Sequence, residues 1–175
     1  MTGEGQVPGE HREKAKEAWP SLATAFCTVS DSRRGQDDRS ARVFVEKVEA
    51  AGHAVRHLAQ VPDEVEAIRR VVATWLDDPE VDVIVTSGGT GLSSRDRTVA
   101  ALRPFLDKEL PGFGELFRWL SFQEIGPAAM LSGALAGVAA KKLLVALPGS
   151  PKAVALALDR LLLPELSHLL WEIRR

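Results

Sequence analysis

The chain of 175 residues has only one cysteine and no long apolar segment. Because Cys27 has no partner within the chain, an internal disulfide is excluded, and no cysteine and histidine residues have the spacing of a zinc site. No segment approaches the ~18 consecutive apolar residues that a membrane-spanning helix requires. The first residues are polar and lack the apolar core of a secretory signal. We therefore expect a soluble, cytoplasmic protein that does not associate with membranes.

An excess of either charge is also absent, since 22 lysines and arginines accompany 24 aspartates and glutamates, for a net charge of −2. This balance gives no reason to expect nucleic acid as a partner. The patterns G-x-x-x-x-G-K-S/T, G-x-G-x-x-G and G-x-S-x-G are missing, which excludes a Walker-type ATPase, a dinucleotide fingerprint and a hydrolase nucleophile elbow. The four histidines are scattered, so a cysteine–histidine nucleophile system has no support.

The apolar fraction of 45% is sufficient for one folded domain of this length. We expect residues 1–20 to be a flexible N-terminal segment, with a short helix possible over residues 10–19, and residues 21–175 to be a single domain. Apolar runs predict strands at residues 22–29, 81–87 and 142–147, of which residues 22–29 and 81–87 read as buried, and residues 54–61 are predicted to be a further strand. Helical spacing predicts helices over residues 38–51, 63–77, 97–110, 111–120, 127–140, 152–162 and 164–171. This alternation indicates an α/β protein with three layers, α/β/α, around a mostly parallel sheet.

The third predicted strand leads into a glycine loop, Gly88-Gly89-Thr90-Gly91, and then into a predicted helix. Glycines let a backbone approach a ligand closely, and a helix N-terminus attracts anions, so we expect this loop to bind phosphate. Asp96 follows the loop, and its carboxylate would repel phosphate unless a divalent cation joined the two. The sequence therefore indicates a magnesium–nucleotide site. Helix capping is the alternative role for Asp96 and for Asp63, which has capping-box spacing to Glu66.

Two further loops follow predicted strands. Ser30, Asp31 and Ser32 come after the first strand, and Pro148 to Pro151 come after the fourth. Because the carboxyl ends of parallel strands meet at one edge of a sheet, we expect all three loops to share one site. The alternative for residues 30–32 is a loop that hydrogen-bonds its own backbone.

Four motifs, taken in order, resemble one known family. The sequence resembles the molybdopterin-binding family of molybdenum cofactor biosynthesis, most closely its MoaB type, with MogA-type adenylyltransferases as relatives. The resemblance covers about residues 22–166. The motifs are Thr28-Val29-Ser30-Asp31-Ser32-Arg33, Thr86 to Gly91 with Arg95-Asp96 and Thr98, Pro111-Gly112-Phe113-Gly114-Glu115 with Arg118, and Leu147-Pro148-Gly149-Ser150-Pro151.

The resemblance implies a homotrimer or a dimer of trimers, with possible contacts to other molybdenum cofactor biosynthesis proteins. It implies ATP and molybdopterin as substrates, Mg²⁺ as the metal, and adenylyl transfer to the molybdopterin phosphate with release of pyrophosphate. Asp63 and Asp96 would be the catalytic and magnesium-binding residues. The implied phosphate-, nucleotide- and pterin-binding residues are Ser30, Asp31, Ser32, Ser87, Gly88, Gly89, Thr90, Gly91, Arg95, Thr98, Glu115, Arg118, Ser132, Pro148, Gly149 and Ser150.

Two positions depart from the family pattern. Ala100 stands where a glutamate is usual, and Gly133 stands where many members have an arginine. These departures favour the alternative of a non-catalytic paralogue that binds molybdopterin or a nucleotide and acts as a carrier or an assembly partner. A third hypothesis is an oligomeric scaffold that uses the apolar face of residues 113–120.

Overall fold

The computed structural model describes residues 8–31 and 38–175. The strands are β1 (Ala23–Val29), β2 (Ala54–Val61), β3 (Val83–Ser87), β4 (Lys108–Glu109), β5 (Leu135–Ala139) and β6 (Lys142–Leu147). The helices are α1 (Pro8–Ala18), α2 (Arg39–Ala50), α3 (Val65–Asp77), α4 (Thr98–Leu102), α5 (Pro111–Ile125), α6 (Pro151–Ala157) and α7 (Leu163–Arg174). Short 3-10 helices span Arg103–Phe105 and Gly126–Leu131, and a π-helical segment, Leu158–Leu162, joins α6 to α7.

The six strands of the described residues form one mixed sheet in the order β2-β1-β3-β6-β5-β4. The pairs β1–β2, β1–β3 and β3–β6 are parallel, with Val85 opposite both Phe26 and Val145. β5 is antiparallel to β6 and to β4. The four predicted strands and the mostly parallel α/β sheet are therefore confirmed.

Apolar side chains from the two faces of the sheet form two separate cores. Phe26 lies on one face, where its ring stacks on that of Phe44 with the centroids 4.5 Å apart. Its neighbour Cys27 lies on the other face, in a cluster that includes Ile68. Helices α2, α5, α6 and α7 cover the first face, and α3 and α4 cover the second. Since successive strand residues point to opposite faces, the continuous apolar runs fill both cores and give three layers.

Two helical predictions are wrong. Residues 127–140 form the end of a 3-10 helix and then β5, which pairs with β6 across a two-residue turn, so this alanine-rich segment is not one helix. The helix predicted to continue to Leu110 ends at Leu102. Pro104 lacks the N–H group that a further helical turn would need, and a 3-10 helix and β4 follow instead.

The predicted flexible segment, residues 1–20, is described from residue 8 onward. Residues 8–18 form α1, which matches the short helix considered for residues 10–19 and packs against α7. An ion pair of 2.7 Å joins Arg12 to Glu165, and the Ser167 hydroxyl donates to the Trp19 carbonyl at 2.8 Å. None of the helices in the described ranges combines the length and the apolarity needed to cross a bilayer.

Candidate functional site

A cleft of about 420 Å³ opens at the carboxyl edge of the parallel strands. The loops after β1, β2, β3 and β6 meet there, together with the segment that precedes β5. The three loops that were expected to share one site, those after β1, β3 and β6, therefore line one cleft, as the parallel topology predicts. The cleft is lined by Thr28, Val29, Ser30, Asp31, Asp63, Ser87, Gly88, Gly89, Thr90, Gly91, Asp96, Leu131, Ser132, Pro148 and Gly149.

The glycine loop lies directly against the end of β1. Gly88 has a φ of +110°, and a Cβ atom built on it would lie 2.1 Å from the Val29 carbonyl oxygen. Only glycine fits both the backbone conformation and the space. Among the described residues, the N–H groups of Gly89, Thr90 and Gly91 donate no hydrogen bond to the protein. These three consecutive N–H groups at the cleft can donate hydrogen bonds to a bound anion.

Thr98 holds the glycine loop in place from the start of α4. Its hydroxyl donates to the Gly88 carbonyl at 2.8 Å, and its N–H group donates to the Gly89 carbonyl at 2.9 Å. Its side chain is fully buried, so Thr98 shapes the loop from beneath and does not line the cleft. Because α4 has only five residues, its dipole is small, and the loop amides are the stronger candidates for binding an anion.

The two predicted catalytic carboxylates both contact the glycine loop. A Cβ atom on Gly89 would lie 2.6 Å from Oδ1 of Asp63, and one on Gly91 would lie 2.8 Å from Oδ2 of Asp96. Asp96 also accepts from the N–H group of Ser93 at 2.9 Å. The capping alternative is wrong for both residues. Helix α3 has Glu64 at its N-cap and α4 has Arg97 there, and neither helix has a side-chain cap.

The environment of Asp63 disfavours its ionised form. Burial raises the pKa of Asp63, and the neighbouring carboxylates of Asp96 and Asp31 raise it further. The N–H group of Arg97, at 3.4 Å from Oδ1, and the charge of Arg95 act in the opposite direction. A bound cation would relieve this repulsion between carboxylates.

A magnesium ion fits this donor set only with help from a ligand. No three histidine, cysteine, aspartate or glutamate side chains of the described ranges are grouped so that they could hold a metal by themselves. Mg²⁺ commonly binds through one or two carboxylates together with phosphate oxygens and water. Asp63 and Asp96 can supply the protein's share, and a bound polyphosphate would supply the rest.

Asp31 connects two loops at the mouth of the cleft. Its Oδ1 atom accepts from the N–H group of Asp63 at 2.9 Å, and its Oδ2 atom forms an ion pair of 2.6 Å with Nη2 of Arg95. Ser30 lines the cleft beside it. Ser32, predicted from the same motif, lies outside the described residues.

Two serine hydroxyls fasten the turn that follows β6. Ser87 donates to the Pro148 carbonyl at 3.1 Å, and Ser40, which is fully buried, donates to the Gly149 carbonyl at 3.0 Å. Ser150 is the N-cap of α6 and accepts from the N–H group of Ala153 at 3.1 Å. The structure therefore gives Ser150 a capping role next to the cleft.

Sequence reasoning missed three polar residues that support the site. Besides Ser40, these are Thr28 and Asp38. The Thr28 hydroxyl donates to Oδ2 of Asp38, whose Oδ1 atom accepts from the N–H group of Ala41 at 2.9 Å and caps α2. The one available signal was an aspartate at the start of a predicted helix, which indicates a cap but does not indicate its contact with β1.

Glu115 and Arg118 do not lie in this cleft. Both line a separate cavity of about 110 Å³ between α5 and β5. Ser132 does line the main cleft, and the next residue, Gly133, lies against the glycine loop. A Cβ atom on Gly133 would lie 1.9 Å from the Thr90 carbonyl oxygen, so this backbone leaves no space for an arginine.

Comparisons with known proteins agree with the fold. Residues 25–168 match the family described as "Probable molybdopterin binding domain". The molybdenum cofactor biosynthesis protein B of Bacillus cereus is 41% identical over 164 residues, which cover 93% of this chain and 97% of that relative.

Two solved structures extend the similarity. A crystal structure of a molybdenum cofactor biosynthesis protein B gives a TM-score of 0.85 at 42% identity, covering 87% of this chain and 96% of that one. The molybdopterin biosynthesis Mog protein of Mycobacterium ulcerans gives a TM-score of 0.78 at 29% identity, covering 87% and 99%. The α/β fold of this chain therefore recurs in these two proteins over close to their full length. The chain belongs to the molybdopterin-binding family of molybdenum cofactor biosynthesis proteins.

Proposed function

We propose that the chain is a Mg²⁺-dependent adenylyltransferase that transfers AMP from ATP to the terminal phosphate of molybdopterin. The observation that carries the proposal is the contact of Asp63 and Asp96 with a glycine loop that has three unbonded N–H groups, within the described part of the chain. Phosphate oxygens suit the N–H groups, and the cation that accompanies ATP suits the carboxylates. The cleft volume of about 420 Å³ lies within the range of small-molecule sites.

The proposed reaction exchanges one phosphorus–oxygen bond for another. An oxygen of the molybdopterin phosphate attacks the α-phosphorus of ATP, a new bond forms, and the bond to the β-phosphate breaks, so that pyrophosphate leaves. The chain binds and orients the reactants: the loop N–H groups of residues 89–91 hold phosphate oxygens, and Asp63 and Asp96 hold the magnesium ion. A magnesium ion held there would neutralise charge on the phosphates, and catalysis of this kind rests on positioning and electrostatics.

The direct test is the release of pyrophosphate from purified protein given Mg²⁺, ATP and molybdopterin. We expect release that requires molybdopterin and that falls about 100-fold or more in Asp96→Asn. Asp77→Asn is the matched control, since Asp77 is an exposed carboxylate at the end of α3 and does not line the cleft. Unchanged turnover in Asp96→Asn would refute the role of Asp96, and equal losses in both variants would refute its specificity.

The close contact of Gly133 with Thr90 favours a second candidate function. No guanidinium can stand at this position next to the phosphate loop, and Ala100 supplies no carboxylate. A non-catalytic protein that binds molybdopterin or a nucleotide as a carrier or an assembly partner would tolerate both changes. This candidate predicts that either ligand raises the melting temperature while no pyrophosphate is released.

We also propose that the chain acts in the cytoplasm as a homotrimer or a dimer of trimers. The support is an exposed apolar surface on and after α5, where Trp119, Phe122 and Ile125 are each more than half exposed. Exposed apolar patches of this kind commonly mark protein interfaces. A second copy or another molybdenum cofactor biosynthesis protein would cover it. The mass in solution, measured by light scattering, tests the homo-oligomer, and a monomer would refute it.

A further inference from the structure

At the mouth of the cleft, Arg95 forms a salt bridge with Asp31. Nη2 of Arg95 lies 2.6 Å from Oδ2 of Asp31. The Arg95 side chain is 76% exposed and that of Asp31 is 38% exposed, so the pair faces solvent at the entrance. An ion pair as exposed as this one contributes little stability, and competing anions can break it.

Asp31 is held in this position from its other side. Its Oδ1 atom accepts from the N–H group of Asp63 at 2.9 Å, which fixes the carboxylate between the loops after β1 and β2. Arg95, in contrast, extends from the exposed loop after the glycines, and among the described residues its side chain hydrogen-bonds only to Asp31. The arginine is therefore the partner that can move.

The local charges make such a move favourable when a polyphosphate enters. Asp31, Asp63 and Asp96 place three carboxylates beside the three unbonded loop N–H groups. An anion that enters this cleft meets repulsion from the carboxylates, and the positive charge of Arg95 is already paired with Asp31. A phosphate group offers several acceptor oxygens for the planar guanidinium and competes well with a single exposed carboxylate.

We propose that Asp31 is a positioning residue that holds Arg95 in the free protein and releases it to the phosphates of the ligand. Asp31 then competes with the ligand for Arg95 and lowers the affinity of the cleft for polyphosphate. This inference rests on the proposed function only in that the cleft must bind ATP or pyrophosphate. A direct role of Asp31 in binding phosphate or magnesium predicts the opposite sign, because removal of its charge would then weaken binding.

Asp31→Asn separates these roles with little disturbance of the structure. The asparagine retains a carbonyl oxygen for the N–H group of Asp63. Its amide nitrogen replaces Oδ2 and is a donor that cannot bind the Arg95 guanidinium. The variant therefore releases Arg95 while the loops stay connected.

The experiment is calorimetric titration of inorganic pyrophosphate and of ATP, each with Mg²⁺, into the wild type, Asp31→Asn, Arg95→Gln and the double variant. Because an exposed ion pair is disrupted, we expect Asp31→Asn to bind both ligands about two- to fivefold more tightly. Arg95→Gln should bind both more weakly. In the Arg95→Gln background the Asp31→Asn change should give no gain, which is the signature of coupling between the two residues.

The outcomes are distinguishable. If the wild type binds neither ligand, the proposed function and this inference both fail. If the wild type binds but Asp31→Asn binds no more tightly, this inference alone is overturned. A gain that persists in the Arg95→Gln background would also overturn it, because the gain would then come from the lost negative charge and not from release of Arg95.

Discussion

The contact between the glycine loop and β1 can be measured as a loss of stability in Gly88→Ala. The methyl group would lie 2.1 Å from the Val29 carbonyl oxygen, and the residue has a φ of +110°. Both the strained backbone and the overlap with a backbone atom cost free energy. Their usual magnitudes together give a loss of about 2–4 kcal/mol in the free energy of unfolding.

Two other glycines separate the two costs. Gly52 has a φ of +83° but nothing within 4 Å of a built Cβ atom, so Gly52→Ala should cost only about 1 kcal/mol. Gly133 has no left-handed conformation, but its Cβ atom would lie 1.9 Å from the Thr90 carbonyl oxygen. Gly133→Ala should therefore cost about 1–3 kcal/mol through overlap alone.

A fourth variant supplies a control of opposite sign. Gly112 lies in the first turn of α5, and a Cβ atom there would meet nothing within 4 Å, so Gly112→Ala should be neutral or stabilising by up to about 1 kcal/mol. Urea unfolding followed by the fluorescence of the four tryptophans measures the whole series. If Gly88→Ala lost no more stability than Gly52→Ala, the close approach of the loop to β1 would be refuted.

Three further predictions concern individual side chains. Because the pKa of Asp63 is raised in the folded state, its ionised form lowers stability above that pKa, and this loss disappears as the pH falls to the pKa of the unfolded state. Asp63→Asn should therefore raise the melting temperature at pH 7 by at most about 3 °C. If this increase in melting temperature did not decline in acid, the raised pKa would be contradicted. Ser40→Ala removes the buried hydrogen bond to Gly149, so urea unfolding should show a loss of about 1–2 kcal/mol in the free energy of unfolding. An unchanged stability would disprove that Ser40 stabilises the turn after β6. Ala140 and Lys141 turn between β5 and β6 with φ values of 49° and 59°, so Lys141→Gly should gain about 1 kcal/mol in the same assay, and a loss would argue against this turn.

Three of the four strands that sequence reasoning found are buried on both faces, and β2 at the sheet edge is the fourth. β1, β3 and β6 are continuous apolar runs, and such runs are typical of the centre of a parallel sheet. β5 was missed because its sequence, Leu-Ala-Gly-Val-Ala, lies in an alanine-rich segment with no alternation of polar residues. The turn after it, Ala140-Lys141, contains neither glycine nor asparagine, so the usual hairpin signal was also missing.

Sequence reasoning could identify those parts of the candidate site that have a local signal, such as glycines or carboxylates in loops after strands. The glycine loop and Asp63 follow closely after β3 and β2, Asp96 lies further along the loop after β3, and a parallel sheet brings such loops together. Ser40 could not be found this way, because its partner Gly149 is 109 residues away and nothing at either position encodes the contact. Glu115 and Arg118 form a recognisable motif, but the position of α5 on the sheet places them in a different cavity.

The connection of Ser40 to Gly149 has a consequence for folding. The cleft exists only after segments from the first third and the last quarter of the chain have met, and the entropy of closing so long a loop must be overcome before any ligand contact forms. No early intermediate limited to neighbouring segments can bind ligand. A ligand at 100 times its dissociation constant would therefore stabilise the whole fold by about 2.7 kcal/mol. It would slow amide hydrogen exchange in the central strands as well as in the loops that touch it.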